Sequence, residues 1–282
     1  MRKRSPLKTA LYVIGALALT AGLWGLYSRL FFGERDVNYG SYVTWGLWVA
    51  MYVFFAGVAT GSAMIASLDY LFNVPVFKGT GKAALWAAVV TMPAALICIG
   101  LDLGHMERIW KVYLSPNFNS VMAQLVWGYT IFFILMIVLL VMVLRAGSAE
   151  RPSTAIRVLM AVGFVLAVFL SGGVGALFGV NASRASWHVG FLPAQFPVFS
   201  LTSGVALMLI IFGWLNPARD ERGDQLIKVL SLAMVMLLLV KAYYLWTDLS
   251  LALYSGVPQN VEAARTIMFG PYGWAFWVLQ VG

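Results

Sequence analysis

The stretch LDLGHMERIW, residues 101–110, places Asp102, His105, Glu107 and Arg108 within seven positions, straight after a run from Ala83 to Gly100 that carries no charge. A carboxylate, an imidazole and a guanidinium side by side are equipped to move protons, because an imidazole titrates near neutrality and a carboxylate beside it can take the proton on. On a continuing helix Asp102 and His105, three apart, share a face, and Glu107 four before Lys111 is the favourable order for a surface ion pair. The alternative reading of the stretch is a helix end stitched to its loop by ion pairs. A second set, Lys241, Tyr244 and Asp248, spans two turns of one helical face, ~10 Å along the axis. Asp69 is a further carboxylate near the end of an apolar run. A charge at the centre of a membrane helix costs on the order of 3 kcal/mol, so these residues are either paired between helices or line a path for protons or a ligand.

The elements that must position these groups are membrane helices. Apolar residues make up 61% of the 282-residue sequence and charged ones 11%, and the mean hydropathy is +0.85. A soluble domain carries roughly a quarter charged residues, so a protein of this composition cannot cover its surface against water. Runs of about 20 apolar residues recur, and the alternating pattern of a membrane β-barrel does not. The fold expected is all-α, one polytopic bundle of about eight helices, with spans near 9–31, 42–72, 83–103, 120–144, 154–180, 197–215 and 226–254. A last span opens near 267 and stops at Gly282, which reads as a truncated helix.

Basic residues orient the bundle. Twelve of the 19 lysines and arginines fall on the side that holds Arg2, Lys3 and Arg4, against six on the other, with Lys241 inside a span. The positive-inside rule then places the N-terminus in the cytoplasm, in a cytoplasmic (inner) membrane, with the first helix as a retained anchor. The net charge of +8 is thus a topology signal and carries no reading of nucleic-acid binding. Longer connections at 104–119, 181–196 and 255–266 gather a polar inventory on the outer side, including His188 and Gln195. Small-xxx-small spacings at Gly57/Gly61, Gly100/Gly104 and Gly175/Gly179 point to close helix contacts.

Several chemistries are excluded. Cys98 is the only cysteine, and an iron–sulfur cluster needs about four. A haem held by two histidines would need both His105 and His188, which fall in outer loops and not in facing helix interiors. Two histidines and scattered carboxylates make no metal site. What the LDLGHMERIW cluster suits, beside an apolar chamber, is a quinone: apolar walls for ring and tail, donors for two carbonyls, and groups that handle two protons. A proton-coupled transporter or ion-translocating subunit is the alternative, although broken-helix inverted repeats are not visible.

Three stretches carry a resemblance: WGLWVAMYVFFAGVATGSAMIASL (45–68), LDLGHMERIW (101–110) and PNFNSVMAQLVWGYT (116–130), with GPYGWAFWVLQ (270–280) resembling a later helix start. Together they resemble the NrfD-like membrane subunits, the polysulfide reductase membrane subunit and its relatives. The resemblance implies a haem-free, quinone-binding anchor of a respiratory oxidoreductase that is inactive alone. It would exchange electrons between menaquinol or another membrane quinone and an outer-side iron–sulfur subunit, with a catalytic subunit beyond that. Within a single membrane domain, 1–282, it implies a quinone-binding four-helix bundle, helices two to five, in 31–180, and the remaining helices in 197–282. By position it implies Trp45 and Tyr52 on helix two, Asp102, His105, Glu107 and Arg108 after helix three, and Asn119, Gln124 and Trp127 opening helix four. The sequence departs from the family where it has His105 and Met106 in place of the frequent arginine and proline.

Overall fold

The structure, a computed structural model, describes residues 6–33, 45–147, 152–184, 187–215 and 220–281. Among them ten α-helices follow in order: α1 (Pro6–Phe32), α2 (Leu47–Tyr70), α3 (Gly81–Asp102), α4 (Trp110–Leu114), α5 (Val121–Ala146), α6 (Thr154–Gly179), α7 (Leu192–Leu209), α8 (Glu221–Tyr254), α9 (Pro258–Phe269) and α10 (Gly273–Phe276). Helix is the form an apolar segment must take in lipid, where no water satisfies the backbone. Among the described residues seven helices are long and apolar enough to cross a membrane, and no strand is present. This is a multi-pass helical bundle. The eighth expected span is represented among the described residues by α10 and the π-helical Trp277–Val281.

Helix α2 forms the centre, packed on α3, α7 and α6. It is 67% buried over its apolar window, whereas none of that of α1 is buried. Close approach at two glycines explains how α2 and α7 meet. A Cβ on Gly61 would collide with the Ser200 carbonyl oxygen, and one on Gly204 would fall 2.5 Å from the Gly61 backbone. Here the two backbones touch, as small residues allow in membranes. A buried hydrogen bond between the Ser171 and Ser200 hydroxyls ties α6 to α7 beside this crossing. Gly57 and Gly175 also sit against α7 or its first turn. The expected Gly100/Gly104 contact is not made: nothing lies within 4 Å of a Cβ on Gly100, and Gly104 falls beyond the end of α3.

Loops alternate between two faces. Arg29 at the end of α1 reaches the end of α3, and Trp45 before α2 meets Phe178 near the end of α6. Phe191 before α7 meets Tyr244 late in α8. The face they share is termed distal, and the one where α1 begins N-proximal. On the N-proximal face Asp69 closes the α2–α3 connection, its Oδ2 accepting from the backbone N–H of Gly79 and of Gly81, both at 2.9 Å. The first turn of α3 is thereby capped by a carboxylate. Helix α8 begins five residues before the expected 226 because Asp220 caps it, accepting from Gly223 N–H at 2.7 Å. Helix α7 likewise starts earlier than 197, with Pro193 in its first turn, where a missing N–H costs nothing. The distal connections also hold helices that apolar periodicity does not reveal, α4 and α9, since both are short. The expected basic residues Arg2, Lys3 and Arg4 lie outside the described residues.

Candidate functional site

Within the distal third of the bundle, α2, α3, α5 and α6 surround a cavity of about 40 Å³ lined by Tyr52, Leu96, Ile99, Met122, Leu125, Val126, Tyr129 and Leu177. These are helices two to five of the expected bundle. The volume is close to that of a single water, so the helices must part for anything larger. Met122 is both lining and rim: it is 40% exposed, and its unbranched thioether adapts readily. Tyr52 and Tyr129 are the polar groups of the lining. Both are buried, with rings edge to face at 6.1 Å. The Tyr129 hydroxyl donates to the Leu170 carbonyl at 3.4 Å, a long and weak bond that is readily exchanged. Sequence reading carried Tyr52 to the site by resemblance, and grouped Tyr129 with the aromatic residues at outer helix ends, on one or two of which a quinone headgroup would pack. The available signal was the stripe Leu125, Tyr129, Phe132 and Met136, a helical core face interrupted by one hydroxyl.

Asp102 stands one turn toward the distal surface, three residues after the cavity-lining Ile99 and on the same face of α3. Arg29 of α1 is buried and donates to the carbonyls on either side of it, Leu101 at 2.8 Å and Leu103 at 3.1 Å. The helix ends there. Leu103 is extended and His105 has φ −124°, so the expected shared helical face of Asp102 and His105 does not form. His105, Glu107 and Arg108 instead make an exposed trio. Glu107 Oε1 meets His105 Nδ1 at 3.0 Å and Arg108 Nε at 3.5 Å. A hydrogen bond from its own backbone N–H, then His105 and Arg108, hold the Glu107 carboxyl below its usual value. The expected Glu107–Lys111 pair gives way to this arrangement, and Lys111 lies over the Trp110 ring at 5.8 Å.

The remaining expected ring and amide groups lie around the cavity and do not line it. Trp127 Nε1 donates to the Val112 carbonyl of α4 at 3.2 Å, and its ring meets Tyr113 edge to face. Gln124 Nε2 donates to the Phe118 carbonyl at 2.7 Å, and the Asn119 N–H donates to Asn117 Oδ1 at 3.1 Å. Trp45 stacks on Trp187 at 5.5 Å and meets Phe178 edge to face.

The Lys241, Tyr244 and Asp248 stripe is turned toward α7. Tyr244 meets Phe191 and Phe199 edge to face, and between them Gln195 Nε2 donates to both Asp248 oxygens, at 3.0 and 2.8 Å. Lys241, half-buried two turns nearer mid-span, makes no hydrogen bond or ion pair among the described residues. Asp69 lies at the opposite, N-proximal end, where its backbone bonds give it an anchoring role. No group of three or more histidine, cysteine, aspartate or glutamate side chains able to hold a metal occurs among the described residues.

This arrangement, polar loops over a multi-helix bundle with a hydroxyl-lined cavity beneath them, coincides with what comparison with known proteins finds. The protein is 27% identical to a selenate reductase subunit of Mesobacillus selenatarsenatis, across 98% of its own length and 72% of that protein. It is 26% identical to the Hdr-like menaquinol oxidoreductase integral membrane subunit of Archaeoglobus fulgidus, across 95% and 67%. A polysulfide reductase polypeptide of Wolinella succinogenes is 26% identical, across 64% of the present sequence and 62% of the Wolinella one. A family model described as "Polysulphide reductase, NrfD" matches residues 37–282, and the chain belongs to that family.

Proposed function

We propose that this protein is the quinone-interacting membrane subunit of a multisubunit oxidoreductase, exchanging electrons between a membrane quinone and an iron–sulfur subunit seated on its distal face, with a catalytic subunit beyond. The observation that carries the reading is the pair of buried phenols, Tyr52 and Tyr129, at an apolar cavity directly under the distal loops. Two relatives are named for menaquinol or menaquinone, the Archaeoglobus subunit above and the menaquinone reductase integral membrane subunit of Nitratidesulfovibrio vulgaris, which supports a naphthoquinone as substrate. With twelve basic residues on the N-proximal side, that side is cytoplasmic and the distal face is outer, as for a subunit of the inner membrane.

The chemistry follows from the lining. Leu96, Ile99, Leu125, Val126 and Leu177 supply apolar walls for a ring, and Tyr52 and Tyr129 supply O–H donors for its carbonyls. Quinone supplies the two-electron redox chemistry. Asp102, one turn above, takes or gives the two accompanying protons one after the other, and His105 and Glu107 pass each of them to or from the distal surface. The Lys241, Tyr244 and Asp248 stripe belongs to a second route for protons through α7 and α8.

The test uses the complex purified with its partners, assayed for quinol oxidation and quinone reduction, together with solvent extraction of bound quinone and an optical spectrum. Tyr52→Phe and Tyr129→Phe are expected to lower turnover roughly three- to tenfold each, the loss of one hydrogen bond to a neutral acceptor, in complexes that still assemble. Asp102→Asn is expected to slow turnover with bound quinone retained. Full turnover in all three assembled variants would remove the cavity from the electron path.

A further inference from the structure

A larger pocket lies at a different place, between the start of α7 and the helices α8, α9 and α10. Its volume is about 360 Å³, within the roughly 300–1,000 Å³ range of small-molecule sites. It follows a seam. On one side is the main core, and on the other a small cluster of Ala264, Met268 and Phe276 packed on Leu245, Leu249, Ala252 and Leu253. Apolar side chains make most of the wall, among them Leu192, Leu249, Ile267 and Phe276. Four polar residues, His188, Asp248, Ser255 and Asn260, line it as well.

The hydrogen bonding of those polar groups is one-sided. His188 Nδ1 lies 2.8 Å from the Gly179 carbonyl oxygen, which can only accept, so Nδ1 carries a proton, and in that tautomer Nε2 is the acceptor left for the pocket. The Ser255 hydroxyl donates to the Ala252 carbonyl at 3.1 Å and receives the Val257 N–H at 3.2 Å, so its proton is committed. Asp248 has both oxygens within reach of the single Gln195 amide nitrogen. Gln195 is almost fully buried, at 1% exposure, and holds the carboxylate with acceptor sites still open toward the pocket. With Asp248 as the carboxylate, only Asn260 of the four can donate.

We propose that this pocket is a second lipid-facing site, selective for the reduced, dihydroxy form of a quinone. A quinol has two O–H donors to match Asp248, His188 and Ser255. An oxidised quinone has only carbonyl acceptors and would leave those groups facing like partners. Leu251 lines the rim and is 58% exposed, which gives an isoprenoid tail a way out into lipid. The proposal rests on the quinone-exchange reading, because it draws on the same membrane pool. The two sites complement each other: phenol donors at the Tyr52 and Tyr129 cavity suit the carbonyl form, and acceptors here suit the hydroxyl form.

The experiment measures equilibrium binding of 2,3-dimethyl-1,4-naphthoquinol, and separately of its oxidised form, to the protein in lipid nanodiscs under anaerobic conditions. Asp248→Leu and His188→Leu each remove one acceptor. Leu251→Trp fills the rim without touching a buried polar group, and so guards against a variant that misfolds. Parent protein is expected to bind one more equivalent of quinol than of quinone. Each variant is expected to weaken that additional equivalent by about tenfold or more, as for lost bonds to charged or buried groups, with quinone binding unchanged. Equal quinol and quinone stoichiometry in the parent, or additional quinol binding that survives all three changes, overturns the proposal. Tyr52→Phe and Tyr129→Phe in the same assay report on the first cavity alone, so failure of the general reading shows as unaltered binding there.

Discussion

At the scale of single residues, position relative to the helix ends decides what each polar group does. His105, Glu107 and Arg108 are roughly two-thirds exposed, and pairs so placed contribute little to stability. Their charges act outward, on whatever docks at the distal face. Glu107→Gln is therefore expected to leave the melting temperature of the solubilised protein unchanged, while slowing, in a salt-dependent way, association with the partner proposed for the distal face. A binding-rate series against ionic strength checks this, and an unchanged series with a lowered melting temperature would refute it. The pH sense is set by a depressed carboxylate: its contribution is complete above the ordinary glutamate value and is lost as pH falls through the lowered one. The Glu107 carboxylate is thus ionised at neutral pH and gives up its hold on its neighbours only in acid. Asp69 behaves otherwise, being buried and bonded to two backbone amides. Asp69→Ala is expected to cost about 1–3 kcal/mol by leaving those donors unpaired, read as a lowered unfolding midpoint in detergent.

At the scale of elements, the spans were legible because uncharged runs of bilayer length admit no other structure. The boundaries were less so. Asp220 and Pro193 each extend a helix past its apolar run, and hydropathy is blind to a cap. LDLGHMERIW was recognisable as a chemical cluster, and the end of its span was placed within a residue of Asp102, yet its internal geometry was not legible, since the spacing does not say how the backbone turns between Leu103 and His105. The reverse holds for the Lys241, Tyr244 and Asp248 stripe. Its spacing gave the shared face, and the structure supplies the partners, Phe191, Gln195 and Phe199, themselves one turn apart before and along α7. Glycine spacing was a mixed guide, because Gly61 packs and Gly100 does not. Gly61→Leu is accordingly expected to abolish a folded bundle, judged by yield of monodisperse protein, whereas Gly100→Leu is expected to be tolerated. Equal yields from the two would mean that α2 and α7 do not cross at Gly61.

Across the whole molecule, burial is graded from a central α2 to peripheral α1 and α8. Arg29 provides a bonded link between α1 and the end of α3. Arg29→Ala is expected to raise the labelling of cysteines placed along α1, with the core unaffected, and unchanged labelling would refute the link. The touching backbones of Gly61 and Gly204 have a mechanical consequence. They meet some 13 residues from the distal ends of their helices, about 20 Å at 1.5 Å per residue, and every distal cavity lies on the far side of that point. The crossing is a pivot. Rocking the two rods about it by about 5° moves their distal tips by nearly 2 Å while the touching backbones stay in register. Such rocking carries the distal half of α2, and Tyr52 with it, relative to α3, α5 and α6, which complete the wall of the small cavity, so that cavity can widen for a flat ring without unpacking the crossing itself. Pulsed electron paramagnetic resonance between labels at Leu47 and Gly190 should then show a distance that changes when naphthoquinone is added, and an unchanged distance would refute the pivot.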